Sequence, residues 1–196
     1  MALGKQAKIL TKPQMESVLA YLTSTRHPMR NRVIFLLSVK AGLRAKEIAS
    51  LTWAMVTDAE GTLTDVISLT DIASKGRGGR VIPINKDLQR ALMALRAEVE
   101  KATRPSPFVI TSERAGSTSS YAIVNKFAAW YRALGFNGAS SHSGRRTAIT
   151  AWARKISTVG GSLRDVQLMA GHSALSTTQR YIEGAEEARR RVVELV

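Results

Sequence analysis

The chain contains no cysteine, so disulfides, thiol nucleophiles and cysteine-ligated metals are excluded at once. Long apolar runs are missing too: the longest aliphatic stretch, Val33 to Leu37, is far too short to span a bilayer. Residues 1–10 lack the apolar central region of a secretory signal and read as a short basic tail. Acidic residues are scarce, with 15 Asp and Glu against 29 Lys and Arg, which leaves a net charge of +14. Arginine supplies 19 of those 29 cations. Such an excess is the electrostatic footprint of a polyanionic partner, with nucleic acid the leading class. A membrane surface would call for a Lys/Arg-faced amphipathic helix with Trp or Phe opposite, and no segment has that pattern.

What is present describes a folded domain. At 196 residues the chain can bury roughly 70% of the surface its unfolded form exposes, enough for one core and too little for a second large domain. Hydrophobic residues make up 44%, and the cations are scattered among regular apolar patterns, which separates this chain from a disordered basic tail.

The apolar spacing predicts mainly helices with a small antiparallel three-stranded sheet. Thr11-Lys12-Pro13-Gln14 is a capping-box pattern ahead of Met15, Val18, Leu19 and Leu22 at helical spacing. A second helix is expected from about Pro28 to Ala41, capped by Gly42, after which Arg44 opens a short third helix carrying Glu47, Ile48 and Leu51. Between Trp53 and Pro83 the period changes, and Met55-Val56, Val66-Ile67 and Val81-Ile82 read as strands around turns at Glu60-Gly61 and at Lys75 to Gly79. Asn85 then caps a helix with Leu88, Ala91, Leu92, Leu95 and Val99 on one face. Further helices are expected over about Tyr121 to Leu134, Gly144 to Lys155 and Leu163 to Ala170, then one bearing Tyr181, and a last one over 185–195.

Five short stretches stand out: Ala41-Gly42-Leu43-Arg44-Ala45-Lys46-Glu47-Ile48, Ser74-Lys75-Gly76, His142-Ser143-Gly144-Arg145, Gly171-His172 and Arg180-Tyr181. Each has an ordinary explanation by itself. Arg44 could be a solvated charge, Glu47 a helix-surface acid, Lys75 a turn lysine, His172 an exposed ring after a helix cap, and Tyr181 a core residue. The spacing of His142 and Arg145 is more telling, because positions i and i+3 at a helix start share a side. In this order, on a strongly basic chain, the stretches resemble the catalytic domain of the tyrosine recombinases, the site-specific integrases and invertases. The resemblance runs from about Thr11 to Gly184.

That resemblance implies a metal-independent and cofactor-free enzyme that cuts and rejoins DNA through a 3′-phosphotyrosine. It gives Tyr181 the nucleophile's role, and Arg44 and Arg145 the binding of the attacked phosphate, whose growing negative charge guanidiniums bind bidentately. Lys75, the one lysine between Lys46 and Lys86, takes the part of the family's hairpin lysine and protonates the departing 5′ oxygen. His142 or His172 then serves as base or phosphate donor, and the sequence does not divide the work between them. Glu47 is placed to orient Arg44 through an ion pair. One departure from the family pattern is Ser143-Gly144 inside the His-x-x-Arg stretch, where a glycine loosens a helix start. His27 is left as a structural or surface residue.

Expected partners are double-stranded DNA with a specific target site, a homotetramer on that DNA and accessory DNA-bending proteins, with no membrane and a cytoplasmic, nucleoid-associated location. The domain plan is a basic tail over 1–10, the catalytic domain over 11–184 and a C-terminal helix over 185–196 that docks in trans or packs back on its own core. The short tail favours likeness to single-domain members such as the fimbrial-switch DNA invertases. Two rival functions fit the same residues: a type IB topoisomerase, and a DNA-binding regulator that has kept the fold without turnover.

Overall fold

The computed structural model of the chain describes residues 7–71, 79–101, 106–113, 116–182 and 193–194. They belong to two compact units, residues 1–148 and 149–196. The first is built around helix α2 (Pro28–Val39), which is buried continuously from Val33 to Val39. A helix buried on all sides can only be a core helix. Around it pack α1 (Lys12–Thr23), α3 (Ala45–Ser50) and α4 (Lys86–Val99), and α5 (Ser120–Ala133) packs on α3.

The helix starts follow their caps. The Thr11 amide donates to Gln14 Oε1 at 2.9 Å while the Gln14 amide donates to Thr11 Oγ1 at 3.3 Å, which closes the capping box of α1. Asn85 accepts from the Asp87 amide at the head of α4, and Ser119 from the Ala122 amide at the head of α5. At the far end of α2, Gly42 takes φ +62° and the Leu43 amide bonds back to the Leu37 carbonyl at 3.0 Å. This turn delivers the chain to α3.

The sheet of the described residues has two strands, not three: β1 (Val66–Leu69) pairs antiparallel with β2 (Arg80–Pro83), Ile67 facing Ile82. The strand expected at Met55-Val56 is a 3₁₀ turn over Trp53–Met55. Asp58 accepts from the Thr62 amide, and Gly61 takes φ +82°, so the chain reverses within a few residues. That leaves space for one isolated bridge, Thr57 to Leu63, in place of a ladder.

In the second unit, α6 (Ser143–Lys155), which begins in the first, supplies Ile149, packed with Val166 and Ala170 of α7 (Leu163–Ala170). Ser162 and Asp165 bond at the start of α7, and Gly171 ends it at φ +61°. Helix α8 (Leu175–Gln179) follows, and Tyr181 lies two residues beyond it, not on it. Its amide bonds the Thr178 carbonyl in a closing turn. Apart from 193–194, the helix expected over 185–195 lies outside the described residues. No described helix is long and apolar enough to cross a membrane.

Candidate active site

Glu47 is a buried polar group of the first unit. Its side chain is fully buried, and its two oxygens receive four donors. Arg80 forks onto it, Nη1 to Oε1 at 3.0 Å and Nη2 to Oε2 at 2.9 Å. Arg44 adds its backbone amide at 2.8 Å and its Nη1 at 2.9 Å. Burial alone would push this carboxyl up, but the bonds and charges of Arg80 and Arg44 outweigh it and hold Glu47 below the usual carboxylate range. Two guanidiniums against one carboxylate leave one positive charge over. Arg44 keeps 27% of its side chain exposed and anchors on Glu47 through one guanidinium nitrogen, and a guanidinium has further donors suited to an anion.

Arg145 is reached from the other side of the same turn. Only 5% exposed, it donates from Nη1 to the Gly42 carbonyl at 2.5 Å, two residues before Arg44. The loop that ends α2 thus holds Arg145 by its carbonyl and Arg44 by its chain. Gly144 makes this approach possible: a Cβ there would lie 2.9 Å from Ser38 Cβ on α2 and closer still to Ser38 Oγ. The glycine expected to loosen this helix start is the residue that lets α6 sit against α2. His142 precedes the helix and is exposed, while Ser143 beside it is buried and its Oγ accepts from the Ser140 amide. His142 and Arg145 therefore occupy different environments despite their helical spacing. Lys75 lies outside the described residues.

The second unit brings His172 and Tyr181 together. Their rings stack with centroids 5.5 Å apart and planes 20° from parallel, and Tyr181 packs against Ile149, Val166 and Ala170. A hydrogen bond of 2.9 Å joins His172 Nδ1 to the buried hydroxyl of Thr178. Gln167 on α7, also buried, donates to the carbonyls of His172 and Ser173 at 2.9 and 3.4 Å. Both ring neighbours are thereby set by elements packed into one small core.

Three contributors have no place in the sequence motifs: Arg80, Gln167 and Thr178. Arg80 was within reach, since it stands two residues before the buried Ile82 on a strand and shares its inward face. Gln167 and Thr178 carry no such signal. The remaining histidine, His27, heads α2 and bonds Glu113 through Nε2 at 3.2 Å.

The profile of the Phage integrase family matches residues 8–188 of the chain. The tyrosine recombinase XerD of Xanthomonas axonopodis pv. citri is 29% identical over 189 residues, covering 89% of this chain and 57% of that protein. The crystal structure of XerA recombinase has a TM-score of 0.76 at 19% identity, covering 95% of this chain and 64% of that one. The crystal structure of XerH site-specific recombinase bound to difH substrate has a TM-score of 0.73 at 18% identity, covering 98% and 55%. The chain thus spans little more than half the length of these proteins.

Proposed function

The chain belongs to the phage integrase family, and we propose that it is a site-specific DNA recombinase working through a 3′-phosphotyrosine. What carries this function is the extent of the family match, since residues 8–188 include all of Arg44, Lys75, His142, Arg145, His172 and Tyr181. The structurally similar XerH was solved bound to difH substrate, and the +14 charge of this chain suits a nucleic-acid partner.

Tyr181 Oη attacks the scissile phosphorus. As the Oη–P bond forms, the P–O5′ bond breaks, the tyrosine proton passes to a base, and Lys75 supplies a proton to the departing 5′ oxygen. His142 and His172 are the candidates for that base or for a phosphate hydrogen bond, with His172 already stacked on Tyr181. Arg44 and Arg145 bind the non-bridging oxygens and the charge that builds on them, each such donor contributing on the order of 10²–10³ in rate. The ester stores the energy of the broken bond, so rejoining to a second strand needs neither metal nor ATP. Recombination between two duplexes calls for four protomers, and a tetramer on DNA is part of the proposal.

Mixing the protein with sheared DNA from its own host and quenching with SDS tests the chemistry. A covalent protein–DNA adduct is expected with wild type and none with Tyr181→Phe, and sequencing the trapped DNA reads out the target. Salt-sensitive binding without any adduct would instead support a DNA-binding protein that does not cut. Relaxation of plasmids lacking the target would point to a topoisomerase.

A further inference from the structure

Glu47 takes its two charged partners from different elements, and this asymmetry has a chemical consequence. Arg44 stands at the head of the same helix as Glu47, whereas Arg80 opens β2, thirty-three positions later in the chain. Arg80 uses both terminal nitrogens on the two carboxylate oxygens, and its own side chain is only 7% exposed. Arg44 spends one side-chain nitrogen on Glu47 and leaves 27% of its side chain exposed. A buried carboxylate must be neutralised, and here the larger share falls to Arg80.

We propose that Arg80 is a positioning residue for DNA cutting: by forking onto Glu47 it fixes the carboxylate that in turn holds Arg44 facing the scissile phosphate. The inference rests on the proposed role of Arg44 in phosphate binding. With Arg80 removed, Glu47 keeps one cation among the described residues, Arg44. It then takes up a proton as pH falls and releases Arg44. Release misplaces the phosphate-binding guanidinium, and a displacement on the order of 1 Å can lower a rate roughly 10²-fold. The charges that act on Glu47 among the described residues are Arg80 from β2 and Arg44 from its own helix start, so loss of Arg80 leaves burial opposed by Arg44 alone.

The test uses full-length wild type, Arg80→Met, Arg80→Lys and the double variant Arg80→Met/Glu47→Gln. Without DNA, the Nε–H resonance of Arg44, assigned through its loss in Arg44→Lys, is followed between about pH 8 and 5. It is expected to stay fixed in wild type, to titrate in Arg80→Met and to stop titrating in the double variant. An Arg44 signal as steady in Arg80→Met as in wild type overturns the proposal, whether or not the chain cuts DNA. Should Arg80→Met fail to fold, Arg80→Lys takes its place: it keeps one charge without the fork and is expected to show a smaller titration. A steady Arg44 signal in Arg80→Lys then overturns the proposal in the same way.

On DNA recovered from the wild-type adduct, single-turnover adduct formation by Arg80→Met is expected to fall roughly 10–10²-fold near neutral pH and further as pH drops. Affinity for the same DNA should change by less than about threefold, and Arg80→Lys should recover part of the rate. A uniform rate loss at every pH, or a loss of affinity that accounts for the rate loss, marks Arg80 as merely structural and overturns the proposal. Absence of any wild-type adduct counts against the cutting reaction itself, and the Arg44 resonance then decides the positioning role alone.

Discussion

Gly144 and Glu47 show how one position can reverse the expectation its residue type sets. A helix interior disfavours glycine by about 1 kcal/mol relative to alanine, so Gly144→Ala looks stabilising on propensity. The close approach of α2 reverses this, with Ser38 Cβ at 2.9 Å and Val39 Cγ1 at 3.0 Å from the added Cβ, and Ser38 Oγ nearer than either. Overpacking of this kind costs roughly 1–3 kcal/mol, so Gly144→Ala is expected to lower the urea midpoint, and adding Ser38→Gly should restore part of it. A Gly144→Ala chain as stable as wild type would show that α6 can move away at no cost. On sequence, Glu47 is a surface acid capable of an ion pair; the pair exists, but the carboxylate is buried. Because its folded proton affinity is held below the unfolded value near 4.5, it adds stability above that pH. The contribution is lost as pH falls below about 4.5 and through the lower folded value. Glu47→Gln should therefore destabilise the chain by about 3–5 kcal/mol at neutral pH, and the gap between the two unfolding curves should close on acidification. A gap that stays constant down to about pH 3 would contradict this.

Elements were most legible where a local cap announces them. Thr11, Asn85 and Ser162 each stand where the sequence places a helix start, because the side-chain oxygen and the orphan amides it serves are neighbours in the chain. The expected strand at Met55-Val56 failed for the opposite reason: β-branching favours extension, but pairing depends on a distant partner, and here the tight Asp58 to Thr62 reversal leaves no room for one. Helix α7 carries the clearest functional consequence of an element's placement. Its buried Gln167 donates to the carbonyls of His172 and Ser173, so the helix sets the loop and the loop sets the ring stacked on Tyr181. Replacement by Met keeps the volume and removes the donor to both carbonyls, at a cost of about 1–3 kcal/mol. Gln167→Met is expected to slow adduct formation with little change in DNA affinity, which single-turnover cutting beside equilibrium binding would resolve. A fall in affinity with an unchanged cutting rate would place Gln167 outside the site.

At the scale of the whole molecule, charge and family membership converge. The family match covers 8–188, and the net charge of +14 belongs to a chain whose described residues form a buried apolar core. DNA affinity should consequently depend steeply on salt. For roughly four to six phosphate contacts the association constant is expected to fall about 10²–10³-fold between about 50 and 200 mM monovalent salt. Fluorescence anisotropy with a labelled duplex measures it, and a shallow slope would mean that the basic residues do not face the nucleic acid. The same titration on the recovered target and on unrelated duplex separates base readout from backbone attraction, since phosphate contacts position and base contacts specify.

The sequence by itself determined where the capped helices begin and a net charge of +14 that suits a polyanionic partner, and it offered six candidate site residues whose types and order resemble the family's, because caps, periodicity and composition are local properties. It also announced the turn at Gly42 that hands the chain from α2 to Arg44. Only the tertiary structure decided that Glu47 is buried, that Arg80 shares it with Arg44, that Gly144 is a contact point against Ser38, and that His172 stacks on Tyr181. Each of these joins residues on different turns or elements, and desolvation, which fixes both the strength of an ion pair and the cost of leaving a polar group unpaired, exists only once the chain has packed.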